Sequence, residues 1–430
     1  MTSRTKLLKT LVVVMLAAPA LTAQNAGVPA AMKTKIDAIA AEITPQLVAT
    51  RRDIHQHPEL GFKETRTAGL VADRLRALKF DEVRTGVGGT GVVGILKGGK
   101  PGKVVAMRAD MDALPIQEAI SPVYHSLVPN VNHSCGHDGH TSMLLGVAEI
   151  MSRMRADIPG TMMFLFQPAE EGDPDGGDTG AVRVLKAGLF ANPKPDVILG
   201  LHLDPQIPVG QIGTMAGPTM ASSSRFDLKV IGKKTHGAMP HTGIDPVPMA
   251  AEIVSAIQTI PARQIDAQSP TVITVGSIHG GNRYNVVADQ VEMQGTVRTF
   301  SATGPETVKQ KLEAIVKGIT TAFGGSYELN FRTNAPVTYN DPALAASSRA
   351  ALESAFGKAA IITPPTLQMV SEDFAYYQKE IPGFYFFVGI KNEAKKITAM
   401  WHTEFYDMDE AALPIGVKAM ATAALDFLHR

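Results

Sequence analysis

One cysteine, one tryptophan and no excess of either charge sign bound this 430-residue sequence before any motif is read. A lone thiol cannot staple a chain internally, so a disulfide scaffold is excluded. Lys plus Arg and Asp plus Glu stand at 41 each, which removes the electrostatic footprint of a nucleic-acid or acidic-membrane binder. Internal repeats and low-complexity linkers are lacking too. Hydrophobic residues at 45% supply a large core and, at this length, two or three domains.

The start of the chain is organised differently. Arg4, Lys6 and Lys9 precede an apolar run at residues 11–18, and small residues follow at Ala18, Ala20 and Ala23. That is the layout of a secretory signal peptide over residues 1–23, cleaved after Ala20 or Ala23. The run is short for a bilayer span and Pro19 closes it. The expectation is a soluble exported protein, periplasmic or secreted, without stable membrane association. In an oxidising compartment Cys135 is then an inert buried thiol, an intermolecular bridge or a metal ligand.

Residues 32–76 read as helical, broken at His57-Pro58-Glu59-Leu60-Gly61. Apolar strands follow at 91–96, 103–108, 161–167 and 197–202, and another lies at 384–389. A helix at 142–154 carries Met143, Leu144, Val147, Ile150, Met151 and Met154 on one side. Continuous apolar strands alternating with helices predict an α/β layer with a sheet buried on both faces. Residues 218–332 instead run strand, helix, strand, strand, helix, strand, the order of an α+β ferredoxin-like module. The expected organisation is a catalytic domain built from 32–217 and 333–430, with the module 218–332 inserted.

Metal-binding side chains sit just beyond several of these strands: Asp110 and Asp112, then Glu170 and Glu171, then His202. Cys135, His137 and His140 precede a helix. Carboxyl ends of strands in an open α/β sheet converge on one crevice, so separated segments can furnish one site. Cys-x-His offers thiolate and imidazole, good ligands for borderline metals. Taken singly, a histidine after a strand is an ordinary hydrogen-bonded residue and Glu170-Glu171 is surface charge; the coincidence carries the reading.

Five motifs occur in order: Arg51-Arg52-Asp53-Ile54-His55-Gln56-His57-Pro58-Glu59-Leu60-Gly61-Phe62, Arg108-Ala109-Asp110-Met111-Asp112-Ala113-Leu114-Pro115, Cys135-Gly136-His137-Asp138-Gly139-His140-Thr141, Gln167-Pro168-Ala169-Glu170-Glu171-Gly172 and Ser371-Glu372-Asp373-Phe374-Ala375. Through them the chain resembles the M20 metallopeptidases, in the amidohydrolase branch acting on N-acyl amino acids such as hippurate and auxin conjugates. The resemblance implies a zinc-peptidase-like catalytic domain, a mixed sheet flanked by helices, and an inserted lid that pairs two copies into a homodimer.

It also implies two divalent metal ions, zinc or manganese foremost and cobalt or nickel as alternatives, held by Cys135, His137, Glu171, His202 and His402. Glu170 is then the general base acting on a water between the metals, and Asp112 orients a ligand imidazole. Asp110 stands where many relatives carry a ligand histidine. Asp138 and His140 are read as supports or helix caps, and His55 and His57 as structural. Within Thr235-His236-Gly237-Ala238-Met239-Pro240-His241, the resemblance gives His236 the role of reaching a partner subunit's site to stabilise the oxyanion. Asn285 and Arg298 would bind substrate, the latter by a two-pronged grip on a carboxylate.

Three departures stand out: Ala288 in place of a proline, Trp401 before His402 in place of an aliphatic residue, and an acidic stretch at 173–178 read as a solvated loop. The substrate implied is an N-acyl amino acid. The alternatives are a dipeptidase or short-peptide carboxypeptidase with the same centre, and a catalytically silent periplasmic binding protein.

Overall fold

The computed structural model describes residues 27–430 except Asp175, Pro365 and Thr366; the signal-peptide reading over residues 1–23 lies outside the described residues. An eight-stranded sheet runs, edge to edge, Glu82–Val87, Gly91–Lys97, Pro159–Gln167, Lys100–Asp110, Val197–Pro208, Gly383–Lys391, Ile212–Gly213 and Ile361–Ile362. Its four central strands are parallel to one another, while the hairpin at residues 82–97 joins antiparallel. The sheet is therefore mixed. The central strands carry unbroken apolar runs such as Met162-Met163-Phe164-Leu165-Phe166, buried throughout because helices cover both faces.

One face packs on the long helices Ala30–Gln56, His137–Arg153 and Ala412–His429, with Met107, Phe164, Phe384 and Phe386 beneath them. The other packs Met163, Leu165, Tyr385 and Phe387 against Val184 and Tyr377 from the short helices Gly180–Lys186 and Ala375–Glu380, and against Phe374 just before the second. Because the central strands are parallel, their carboxyl ends open on the same edge of this layer, which is where the site lies.

A separate antiparallel sheet has the order Thr271–Gly280, Gln290–Thr299, Ser222–Ile231, Ser326–Ala335. Helices Pro246–Ile257 and Gly304–Ala322 cover one face through a core of their own around Phe226, Ile253, Met293 and Leu312. This is the ferredoxin-like β-α-β-β-α-β order. The ribbon Gly217–Met220 with Thr338–Asn340 joins it to the larger layer. Asn340 locks that junction: its Nδ2 donates to the Met215 and Tyr385 carbonyls at 2.8 and 2.7 Å, and its Oδ1 accepts from Tyr385 N–H at 2.7 Å.

One expectation is corrected here. The helix placed at 142–154 begins at His137, so His137 and His140 are helical rather than in a preceding loop. Gly136, in the left-handed region at φ 92°, makes the sharp start, and Asp138 in the first turn suits the helix N-terminus. Beneath this turn lies a buried polar cluster. Arg51 Nε donates to Asp138 Oδ2 at 2.7 Å, and His55 Nδ1 lies 2.8 Å from the same oxygen. His55 is thus structural, as read, and His57 turns back to the Asp53 carbonyl at 2.8 Å. Replacing Arg51 leaves the Asp138 carboxylate buried without its cation. Arg51→Ala should lower unfolding free energy by about 3–5 kcal/mol in urea titrations; a loss of less than about 1 kcal/mol, the surface-pair range, would contradict this.

Candidate metal centre and active site

Each functional side chain is aimed by a strained or tethered backbone segment. Ala169, just beyond the Pro159–Gln167 strand, takes φ 45°, and its N–H donates to buried Glu64 Oε1 at 2.8 Å. That turn directs Glu170 and Glu171 inward. Cys135 precedes Gly136, where a Cβ would meet the Tyr406 hydroxyl at 2.5 Å, so only glycine fits. His402 lies on a loop at φ 59°, and its N–H donates to Ser134 O at 2.9 Å, tying it to the cysteine segment. Left-handed backbone at Ala169 and His402 costs energy that the surrounding contacts must offset.

Asp112 joins two of these segments. One carboxylate oxygen accepts from the Glu171 N–H at 3.0 Å. The other lies 3.2 Å from His137 Nδ1, which also approaches the Asp112 carbonyl at 2.9 Å. A carbonyl only accepts, so Nδ1 carries a proton in either charge state, and Nε2 points inward, buried and without a partner. His202 repeats the arrangement, with Nδ1 donating to Leu203 O at 2.7 Å and Nε2 lying 3.4 Å from Cys135 Sγ. His402 Nε2 sits 2.9 Å from Glu171 Oε1.

The donor atoms gather into overlapping sets, each within 4.8 Å: Cys135, His137 and His202; Cys135, Glu171 and His402; His137, Glu170 and Glu171. A thiol, imidazoles with inward Nε2 atoms and carboxylates form a donor chemistry suited to borderline divalent cations, and the orphaned His137 Nε2 fits that use. Asp110, His137 and His140 form a further set, but there His140 is already engaged. Its Nδ1 lies 2.7 Å from Asp110 Oδ1 while its Nε2 accepts from the Leu203 N–H.

The electrostatics point the same way. Burial, followed by the Glu372, Glu171 and Asp373 carboxylates, pushes Glu170 well above the usual carboxylate range against the pull of Arg108. Burial and then Glu171, Glu170 and Asp110 push the Cys135 thiol up. For His137, burial pulls downward but the Asp110, Asp112 and Glu171 carboxylates outweigh it, leaving it at about 10. Burial and then His140 hold His202 well below its ordinary value.

Glu170 itself is held by the Ser371-Glu372-Asp373 segment, whose Asp373 N–H donates to Oε1 at 3.3 Å. Arg108 lies 2.9 Å from Glu372 and donates to Asp373 at 3.0 Å and Asp110 at 2.6 Å. Tyr385 donates to Glu372 at 2.5 Å. Glu372 stands in the Ser371–Ala375 motif without an assigned role in the sequence, because its cation Arg108 lies on a distant strand.

Cys135, Glu170, Glu171, His202 and His402 line one cavity of about 510 Å³, whose other wall includes Met220, Met369, Val370, Met400 and Trp401. His137 and Asp112 lie directly behind it. His236 and Asn285 are not among its lining. They adjoin each other in the small module, where the Gly237 N–H donates to the Asn285 carbonyl at 2.8 Å, and His236 is exposed. Arg298 reaches across from that module to donate to Ser371 Oγ, a lining residue, at 2.9 Å. In the acidic loop Asp173 pairs with Arg183 and Asp178 with Lys186.

With the geometry in hand, comparison with known proteins is specific. The sequence model of Peptidase family M20/M25/M40 matches residues 106–426. An N-acyl-L-amino acid amidohydrolase of Geobacillus stearothermophilus is 45% identical over 299 residues, covering 70% of this chain and 79% of that one. Thermostable carboxypeptidase 2 of Saccharolobus solfataricus is 39% identical over 391 residues, covering 90% and 97% respectively. The crystal structure of Bacillus subtilis YXEP, a dinuclear metal binding peptidase from the M20 family, superposes with a TM-score of 0.78 at 33% identity over 90% of this chain and 99% of that one.

The raised His137 value has a pH consequence. Its proton stabilises the metal-free fold fully below about 6.5, and that contribution is lost as pH rises through about 10. A cation binding Nε2 must displace that proton. Affinity for Co(II), measured by chelator competition, should therefore rise from pH 6 to 9 by roughly tenfold per pH unit for each proton displaced. A pH-independent affinity would contradict it.

Proposed function

The chain belongs to peptidase family M20/M25/M40 and is a metal-dependent hydrolase, and from that premise we propose that it cleaves the amide bond of N-acyl amino acids at a two-metal centre. The observation that carries this reading is the pairing of partly buried Glu170 with Glu171 at the meeting point of the Cys135, His137, His202 and His402 donors. Cys135, His137, Glu171, His202 and His402 would hold the ions, zinc or manganese foremost. When bound, divalent cations lower the pKa of water toward neutrality and polarise the carbonyl.

The protein's own groups do the rest. Asp373 N–H occupies Glu170 Oε1, which leaves Oε2, 3.9 Å from His137 Nε2, to take the proton from attacking water. A carboxylate pushed upward by burial and like charges holds that proton well enough to pass it to the departing nitrogen. The acid and the free amino acid are the products.

Arg298, half-buried and anchored on Ser371, suits the substrate carboxylate, while Asn285 adjoins His236 elsewhere in the small module. His236 would stabilise the oxyanion from a second copy of the chain, were the small module to pair two subunits, a role supported by its exposure. The methionine-rich wall favours an apolar acyl group, each buried methylene contributing about 0.8 kcal/mol. A second reading, a short-peptide carboxypeptidase, is favoured by the 39% identity with the Saccharolobus enzyme named as one.

One experiment addresses both. N-acetyl, N-hexanoyl and N-benzoyl amino acids are assayed beside free dipeptides, with the wild type and Glu170→Gln. The expected result is hydrolysis of the N-acyl compounds, best with the larger acyl groups, and a loss of roughly 10²- to 10⁴-fold in Glu170→Gln at undiminished metal content. Preference for free dipeptides would sink the acyl reading, and unchanged turnover in Glu170→Gln would displace the base.

A further inference from the structure

The Leu203 carbonyl accepts two hydrogen bonds. His202 Nδ1 donates to it at 2.7 Å, and the indole N–H of Trp401 donates at 2.8 Å. The indole stands edge-on to the His202 ring, with centroids 5.6 Å apart at 88°. Its chain neighbour His402 belongs to the other donor set, with Glu171 and Cys135. The same residue is engaged through its other backbone group, since the Leu203 N–H donates to His140, which lies against Asp110. Leu203 is thus a backbone hub between the two donor sets, and Trp401 is the side chain that reaches it from the His402 loop.

We propose that Trp401 is a positioning residue that couples the two donor sets: by docking its indole N–H on Leu203 O it holds His402 in place against a centre otherwise fixed by the sheet. The inference rests on the two-metal reading. Its asymmetry follows from the surroundings of the two histidines. His202 is buried within the Val197–Pro208 strand and is held by ladder pairing to Gly383–Lys391. The His402 side chain is 50% exposed, on a loop with left-handed backbone, and the contacts that fix the loop beside it are Trp401 on Leu203 O and the His402 N–H on Ser134 O, with Ala119 N–H on Glu404 O tying it further along. Removing the indole N–H therefore loosens the Cys135, Glu171, His402 set while leaving the Cys135, His137, His202 set nearly as it was. Groups that orient metal ligands typically contribute tenfold to a hundredfold in affinity.

Trp401 is also the chain's single tryptophan, so its emission reads this one position. Metal-stripped full-length protein is titrated with Co(II), following indole fluorescence and, by chelator competition, both binding constants. Trp401→Phe keeps a ring edge toward His202 without the N–H; Trp401→Leu removes both. Expected in the wild type are two bound ions and quenching of the indole by the paramagnetic ion beside it. In Trp401→Phe the weaker constant should fall by roughly 10- to 100-fold while the tighter one moves by less than about threefold.

Unchanged constants in Trp401→Phe overturn the proposal, and so does an equal loss in both, which would mean a generally loosened site. Should both variants fail to fold, the wild-type titration still decides: emission indifferent to Co(II) saturation overturns it. A wild type that binds fewer than two ions contradicts the two-metal reading itself, a failure distinct from unchanged variant constants with two ions bound.

Discussion

Negative charge packed into low dielectric is the constraint on which this molecule turns. Asp110, Asp112, Glu170, Glu171, Glu372 and Asp373 converge with the Cys135 thiol, and Arg108 answers part of that charge from within. Like charges so close cannot all ionise in a protein interior, which is why Glu170 and Cys135 are pushed toward their protonated forms. Divalent cations relieve the conflict, and the same conflict leaves beside them a carboxylate with a strong hold on a proton. Binding and catalysis follow from one electrostatic arrangement.

The fold sustains that arrangement by rigidity. Parallel central strands deliver Asp110, Glu170 and His202 to one edge, and the helix starting at His137 fixes that imidazole to the buried Arg51–Asp138 cluster. The least anchored donor, His402, comes from a loop between the last central strand and the final helix. There the fold relies on individual contacts, Trp401 on Leu203 O and the His402 N–H on Ser134 O, instead of ladder pairing.

Much of this was legible in the sequence, for a physical reason. Short apolar runs such as residues 161–167, alternating with amphipathic helices, suggest a sheet buried on both faces, and the β-α-β-β-α-β order of residues 218–332 describes one simple topology. Donors placed just after those runs announced a shared crevice. Less legible were features set by contacts between distant segments. The start of the helix at His137 depends on Gly136 fitting beneath the Tyr406 hydroxyl. The role of Glu372 depends on Arg108 and Tyr385, and the Asn340 junction depends on carbonyls at Met215 and Tyr385. Trp401 drew notice as an unusual neighbour of His402, but its hydrogen bond to a carbonyl on another strand has no signature in local sequence.

Donors from widely separated segments, with Cys135 in both sets, would together hold two cations. Anomalous diffraction from crystals of the metal-loaded protein, collected at the absorption edge of the bound metal, tests it most directly. Two peaks per subunit are expected, one among Cys135, His137 and His202 and the other among Cys135, Glu171 and His402. A single peak, or density placed away from Cys135, would contradict it.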